Sequence, residues 1–285
     1  MNTDKAWIYY NSPRICPQAH LIFKLLQAKS EVFVMSIAID KKIYANLSST
    51  EKTIIDFIFE NQKNILNMSI TNIAKKTNVS APTVSRTIQK CGYNGISELR
   101  YKIMTENNMN SGPNRVDNKE YNVNKVIYKI YKECNDTLNN LIITDILKTV
   151  DLIRTSRRVF LCARGATGLI AEEFLKYLLW MGIDAILATD SLWLKHIENM
   201  ATKNDLIIIL TVTGDNESLV QAALKSNKNS IPVVTLTCNE DSKLKFYSDI
   251  ILFGHYEKIT NYRSMDNNSR LPLMILTRII AEYMQ

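Results

Sequence analysis

The sequence predicts two folds in one chain: an all-α domain, then a doubly wound α/β domain built on a parallel sheet. Three observations predict it. After Leu47 apolar residues recur at helical spacing behind capping residues. From residue 158 onward short β-branched runs alternate with helical stretches, the pattern of parallel strands buried on both faces. Between the two, residues 107–120, NNMNSGPNRVDNKE, are polar, hold Gly112 and Pro113 and contain little to bury, which reads as a linker. A chain of 285 residues with 46% hydrophobic content is long enough for about two such domains. The expected division is an N-terminal extension over 1–42, an all-α domain over 43–106, the linker over 107–120, and an α/β domain with a leading helix over 121–285.

Residues 1–42 have no clear period. The stretch WIYYNSPRICPQAHLIFKLLQ mixes aromatics, prolines and one short amphipathic segment. Met35 opens a more regular run, so residues 1–34 are expected to be dispensable. Ser48 and Glu51 then form an S-x-x-E capping box, and Ile54, Ile55, Ile58 and Phe59 give the buried stripe of a helix ending near Asn61. Ser69 caps a short helix whose Ile70, Ile73 and Ala74 fall at helical spacing; Asn78 opens the turn after it and Val79 plugs the core. Ser80 caps a second helix with Ala81 and Pro82 in its first turn, where a missing N–H costs nothing, and Gly92 stops it. The sequence YNGISELRYKI starts a last helix with Ile96, Leu99 and Ile103 inward and Arg100 and Lys102 outward.

A long helical pattern over 123–154 opens the second domain. Its candidate buried positions are Val126, Ile127, Ile130, Leu138, Leu141, Ile142, Ile146, Leu147, Val150 and Ile153, with a break expected at Thr144-Asp145. Strands are expected at 159–163, 185–187, 206–210, 232–236 and 249–253, and helices at 168–180, 192–201, 217–226 and 270–283.

At 100° per residue Val84, Ile88 and Cys91 share the inward face of the helix after Ser80, with Ala81 at its edge. The opposite face carries Pro82, Arg86, Gln89 and Lys90, flanked by Thr83 and Ser85. Residues 69–92 therefore read as a helix-turn-helix whose second helix suits a major groove. Arginine grips guanine bidentately, short hydroxyl residues let a helix approach base edges, and the helix N-terminus suits a phosphate. Ser80, Thr83, Ser85, Arg86, Gln89 and Lys90 are the candidate DNA contacts. Charge agrees: residues 62–102 hold Lys63, Lys75, Lys76, Arg86, Lys90, Arg100 and Lys102 against Glu98 alone, which is +6 of the chain's +7. The competing readings are an ordinary helical hairpin with a solvated polar face, and a membrane surface as the polyanion. The turn punctuation inside the basic patch and the lack of a large apolar face favour double-stranded DNA.

Composition excludes other classes. No apolar run approaches the ~18 residues that cross a bilayer, and no basic-then-apolar leader opens the chain, so a cytoplasmic protein without a membrane partner is expected. Cys16, Cys91, Cys134, Cys162 and Cys238 lack C-x-x-C spacing, and His20, His196 and His255 are isolated, so neither a disulfide framework nor a metal site is expected. Cys91 and Cys162 lie in apolar patterns as small core residues. G-x-G-x-x-G is absent, so no dinucleotide or other cofactor is expected.

Two loops at the carboxyl ends of expected strands carry unusual chemistry: Ala163-Arg164-Gly165-Ala166-Thr167-Gly168 and Thr211-Val212-Thr213-Gly214-Asp215-Asn216. Doubly wound sheets bind ligands there. Glycine lets backbone N–H groups approach an anion, and threonine and asparagine add hydrogen bonds. Either the loops hold a phosphate, or these residues only turn the chain and cap the helices that follow; taken alone they leave both readings open.

The stretches LSSTEKTIIDFI, SITNIAKKTNVSAPTVSRTIQKCGYNGISELR, VFLCARGATGLIAEEF, DLIIILTVTGDNESLV, PVVTLTCNEDSKLKFYSDIIL and the pair Ser269-Arg270 resemble the RpiR family of bacterial transcription regulators, over about residues 43–285. The resemblance implies a helix-turn-helix followed by a sugar isomerase (SIS) domain, an αβα sandwich that binds a phosphosugar effector and pairs into homodimers or homotetramers. The family's G-x-G-x-S loop stands here as Ala163-Arg164-Gly165-Ala166-Thr167, and its S-x-S-G-x-T loop as Thr211 to Asn216. By that correspondence Gly165, Thr167, Thr211, Thr213, Gly214 and Asn216 hold the phosphate, and Arg164 either adds charge or points to solvent. The first glycine is gone, and threonine methyls crowd the second loop. Active isomerases share this fold and need a positioned base; Glu217 and Asp215 are the nearby carboxylates, and neither has a partner in sequence. A regulator that binds without turnover is expected. The alternatives are an isomerase and a DNA-binding protein whose SIS domain only dimerises.

Overall fold

The computed structural model describes residues 39–109, 119–257 and 268–285, and the chain divides into two compact units between Tyr128 and Lys129. Residues 1–34, expected to be dispensable, lie outside the described residues, as do 110–118 in the middle of the expected linker.

The first unit is all helical: α1 (Lys41–Ala45), α2 (Ser49–Glu60), α3 (Gln62–Ile65), α4 (Ile70–Lys76), α5 (Ala81–Lys90) and α6 (Ile96–Met109). Its packing begins before residue 43, where the domain was expected to start. Ile39 and Tyr44 lie against the core, and the Tyr44 hydroxyl donates to Asp56 Oδ1 at 2.6 Å. The capping box forms as read: Glu51 N–H donates to Ser48 Oγ at 3.3 Å and Ser48 N–H to Glu51 Oε2 at 2.9 Å. Ile54, Ile55, Ile58, Ile65, Ile73, Val84, Ile88, Leu99 and Ile103 are buried together, each isoleucine removed from water contributing about 1.5–3 kcal/mol. Val79 is only half-buried, at the rim of this core.

Arg100 corrects the expectation that it faces outward. Its Nε donates to the Ile65 carbonyl at 3.0 Å, and its Nη2 donates to the Met68 carbonyl. The Ile65 carbonyl ends α3 and also accepts from Met68 N–H at 3.3 Å, and the guanidinium adds a donor to it and to the Met68 carbonyl. One of the seven basic residues of the patch is thus structural.

Two helices precede the sheet: α7 (Lys119–Asn139) and α8 (Ile143–Thr155). With α6, α7 reaches into both ends of the stretch expected to be linker. The break falls at residues 140–142, just before the expected Thr144-Asp145, with Asp145 N–H donating to the Ile142 carbonyl at 3.0 Å. Ile146, Val150 and Ile153 are buried, but Val126, Ile127, Ile130, Leu138, Ile142 and Leu147 are exposed. The stripe of α7 that faces into the second unit is polar: Glu133 and Thr137 are buried and bonded to residues far along the chain. The apolar stripe faces out.

The remainder is β1 (Val159–Ala163), α9 (Gly168–Trp180), β2 (Ala185–Ala188), α10 (Ser191–Lys195), β3 (Leu206–Thr211), α11 (Glu217–Lys228), β4 (Val233–Thr237), β5 (Ile250–Phe253) and α12 (Leu271–Met284). All five strands are parallel, in the order β2-β1-β3-β4-β5. Side chains alternate across it. Leu161, Ile208, Leu210, Val234 and Leu252 face α8, α9 and α12, while Phe160, Cys162, Ile207, Ile209 and Val233 face α10 and α11. Beside the amino ends of β1 and β3, Asp205 is fully buried and accepts from Arg157 Nε at 2.9 Å, Arg157 Nη2 at 2.7 Å and Thr202 N–H at 2.7 Å. The opposite, carboxyl ends hold the two loops.

Candidate functional site

The helix-turn-helix is built by local devices. Ser69 Oγ accepts from Asn72 N–H at 3.2 Å and starts α4; Asn78 adopts φ 54° in the turn. That left-handed conformation suits asparagine, whose short polar side chain tolerates it. Ser80 Oγ accepts from Thr83 N–H at 3.3 Å and lies 2.7 Å from the Thr83 hydroxyl, so both candidate contacts sit at the amino end of α5. Gly92 ends the helix at φ 90°. Pro82, Arg86, Gln89 and Lys90 are exposed, and Thr83 and Ser85 are half-buried. Thr87, which sequence reasoning did not assign, is buried between Val84 and Ile88; its hydroxyl donates to the Thr83 carbonyl at 2.9 Å and so needs no other partner.

The cations of this surface differ. Lys90 Nζ pairs with Glu51 at 2.5 Å, and that hydrogen bond, with the Ser48 N–H, holds the Glu51 carboxyl below the usual carboxylate range. Arg86 makes no ion pair among the described residues. Lys75 and Lys76 are exposed in the last turn of α4, where the helix dipole favours positive charge.

In the second unit the strand order reverses direction at β1 and β3: the chain leaves β1 toward β2 and returns past it to β3. A crevice opens at such a switch point. Ala163 and Leu210 are register partners, so the two hydroxyl-bearing loops emerge side by side. After β1, Gly165 takes φ 57° and Thr167, buried at 5% exposure, accepts from Arg270 Nε at 3.3 Å. After β3, Thr211 Oγ1 accepts from Gly214 N–H at 3.1 Å, and Thr213 Oγ1 lies 3.5 Å from Asp215 N. Asn216 Oδ1 accepts from Ser218 Oγ at 2.8 Å and Leu219 N–H at 3.4 Å, which caps α11. Several polar atoms of the expected phosphate site are therefore engaged in shaping the loop itself.

Gly214 is required by space as well as conformation: at φ 68° its absent Cβ would stand 2.2 Å from Ser242 Oγ, which donates to the Gly214 carbonyl at 3.0 Å. Asn239 Nδ2 braces the same loop through the Thr213 carbonyl at 2.6 Å. Arg164 is half-buried, and its Nη1 donates to the Thr189 carbonyl beyond β2, beside Gly168. The carboxylates considered as a base are not set for proton transfer: Glu217 is exposed and accepts from Gln221 at 2.8 Å, and Asp215 is exposed. Burial pushes the thiols of Cys91 and Cys238 up to about 11 and about 12 and that of Cys162 further still, so these cysteines stay protonated. Sequence reasoning missed Arg270, Ser242 and Asn239 as parts of the site. The pair Ser269-Arg270 was visible as a motif, but nothing local tied it to Thr167.

Among the described residues no cluster of three or more metal-ligating side chains occurs, and no helix is long and apolar enough to cross a membrane. A capped helix-turn-helix with an exposed basic face, carried in one chain with a doubly wound sheet of this topology, defines a helix-turn-helix transcription regulator with an SIS domain. The helix-turn-helix domain of the rpiR family matches residues 35–109, and the SIS domain matches residues 152–279. The chain thus carries the helix-turn-helix domain of the rpiR family followed by an SIS domain. An HTH-type transcriptional regulator of Thermotoga maritima is 26% identical over 245 residues, covering 83% of this chain and 86% of its own. HexR, an HTH-type transcriptional regulator of Escherichia coli, is 22% identical and covers 67% of this chain and 68% of its own. The structure of Vibrio vulnificus NanR complexed with ManNAc-6P shares the fold, with a TM-score of 0.52 and 19% identity over 89% of this chain and 90% of that one.

Proposed function

We propose that this regulator senses a phosphorylated sugar at the carboxyl ends of β1 and β3, couples it to operator binding through α5, and so controls genes of sugar metabolism in the cytoplasm. The convergence of the two hydroxyl-bearing loops at the β1/β3 switch point carries the reading. N–H groups around Gly165 and Gly214, the hydroxyls of Thr167, Thr211 and Thr213, and the Asn216 amide are the candidate phosphate donors. NanR, a protein of the same fold, holds ManNAc-6P. On α5, Ser80, Thr83, Ser85, Arg86, Gln89 and Lys90 are the DNA-facing set, with Arg86 reading a base and Lys90 reaching a phosphate. Binding without turnover is favoured because neither Glu217 nor Asp215 is held as a base.

Calorimetry across a panel of phosphosugars tests the site. The wild type is expected to bind one of them, with Thr211→Ala and Thr213→Ala weakened. The ligand is expected to change operator affinity by roughly 5- to 150-fold, a coupling of about 1–3 kcal/mol. Equal binding by both variants moves the site elsewhere, and turnover by the wild type makes the protein an isomerase.

Pairing belongs to the same proposal. Ile130, Leu138, Ile142, Ile143 and Leu147 are exposed apolar residues along α7, the break after it and α8, which a second copy would cover. Light scattering should report a dimer or tetramer at micromolar concentration; a monomer with and without DNA would contradict it.

A further inference from the structure

The strand-end loops carry little net charge of their own, and a second cation reaches them from outside. Between residues 163–168 and 211–216 the sequence holds one cation, Arg164, and one anion, Asp215. The Nη1 of Arg164 is engaged by the Thr189 carbonyl. A phosphate dianion leaving water needs charge as well as hydroxyls. Arg270, immediately before α12, brings it: Nε donates to Thr167 Oγ1 at 3.3 Å and Nη1 to the Asn268 carbonyl at 2.9 Å. A hydroxyl that accepts from a guanidinium turns its own hydrogen elsewhere, so Thr167 and Arg270 together offer an O–H and a permanent charge beside the Gly165 turn.

Arg270 is also held. Ser269 Oγ donates to Glu133 Oε2 at 2.7 Å, Glu257 N–H donates to Glu133 Oε1 at 3.1 Å, and Lys129 Nζ lies 3.4 Å from the same carboxylate. Glu133 is 1% exposed, so a buried carboxylate on α7 fixes the residue next to Arg270.

We propose that Arg270 is the cationic ligand of the effector's phosphate monoester, oriented by Thr167 on one side and by the Glu133–Ser269 bond on the other. The inference rests on the phosphosugar reading above and adds to it a cation held in place from outside the loops.

Inorganic phosphate is the probe, and its affinity for the full chain is measured at low and high salt for the wild type, Arg270→Gln, Arg270→Lys and Thr213→Ala. Phosphate held by the helix-turn-helix is common to all four and cancels in the comparison. Arg270→Gln is expected to bind about tenfold or more weakly, with a flatter salt dependence. Arg270→Lys should recover part of the loss, since it keeps the charge without the planar fork. If Thr213→Ala loses affinity while Arg270→Gln matches the wild type, the inference falls and the proposed function stands. If neither variant loses affinity, both fall. Should Arg270→Gln fail to fold, Arg270→Lys decides: binding weakened several-fold supports the inference, and wild-type affinity and salt slope overturn it.

Discussion

On α5, Arg86 and Gln89 leave the helix opposite Val84 and Ile88 and make no side-chain hydrogen bond or ion pair among the described residues. At the ends of β1 and β3 the candidate groups are bonded to their own surroundings: Thr211 to Gly214, Asn216 to Leu219, Thr167 to Arg270. A surface that reads DNA can be presented by helical periodicity alone, because its partner arrives from solvent. A loop that binds a small anion must first hold its own shape, and the atoms that do so come from distant parts of the chain.

The same substitution in the two regions tests this difference most strongly. Gly214→Ala places a methyl 2.2 Å from Ser242 Oγ and 2.5 Å from Ser242 Cβ at φ 68°, and should destabilise the α/β unit by about 3 kcal/mol or more. Gly92→Ala, at φ 90° with open space around it, meets only the left-handed penalty of about 1 kcal/mol. Denaturant melts of the two variants should separate clearly, and equal losses would mean that the loop after β3 has room to relax.

Next in size is the anchor at the other end of the sheet. Burial raises the Asp205 carboxyl, but hydrogen bonds from Arg157 and Thr202 outweigh it and hold the group below its ordinary value. A carboxyl lowered by folding stabilises fully above its unfolded value, near pH 4, and the contribution is lost as pH falls through the folded value. Asp205→Asn should therefore lose about 2–3 kcal/mol at neutral pH, with the gap to wild type closing below about pH 4. A gap that is the same at pH 7 and pH 3 would remove the carboxylate from the explanation.

The smallest effects belong to the face of α5 proposed to read DNA. Arg86→Ala should cost about 1–3 kcal/mol of operator binding and relax preference at one base position. Lys90→Ala should lower affinity uniformly and reduce the salt slope by about 1, partly offset because its pair with Glu51 no longer has to open. Fluorescence anisotropy on labelled operator measures both; an Arg86→Ala protein with unchanged affinity and slope would take the reading role away from α5.

Legibility follows the same division. Ser48, Ser69, Ser80, Asn78 and Gly92 act on neighbours within a few residues, so their roles can be read in order along the chain. The strands are legible to within a residue because β-branched runs buried on both faces have few other uses. The first half of the leading helical stretch departs from its pattern for a physical reason: an apolar stripe at helical spacing reads as core, whereas Glu133 and Thr137 occupy that side, satisfied by residues 255–257 and 269. Arg100 and Arg270 were misjudged or missed likewise, since their acceptors at Ile65, Met68 and Thr167 lie far off in sequence. The stretch 192–201 reads as one helix but is α10 followed by a separate 3-10 turn, Ile197–Asn199.

The bond of one carboxylate to two distant chain segments also concentrates risk in a single side chain. Glu133 receives the Glu257 N–H and the Ser269 hydroxyl, so one residue of α7 holds the chain both beyond β5 and just before α12. A substitution that removes this acceptor strands both donors at once, and Arg270 loses the fixed neighbour that precedes it.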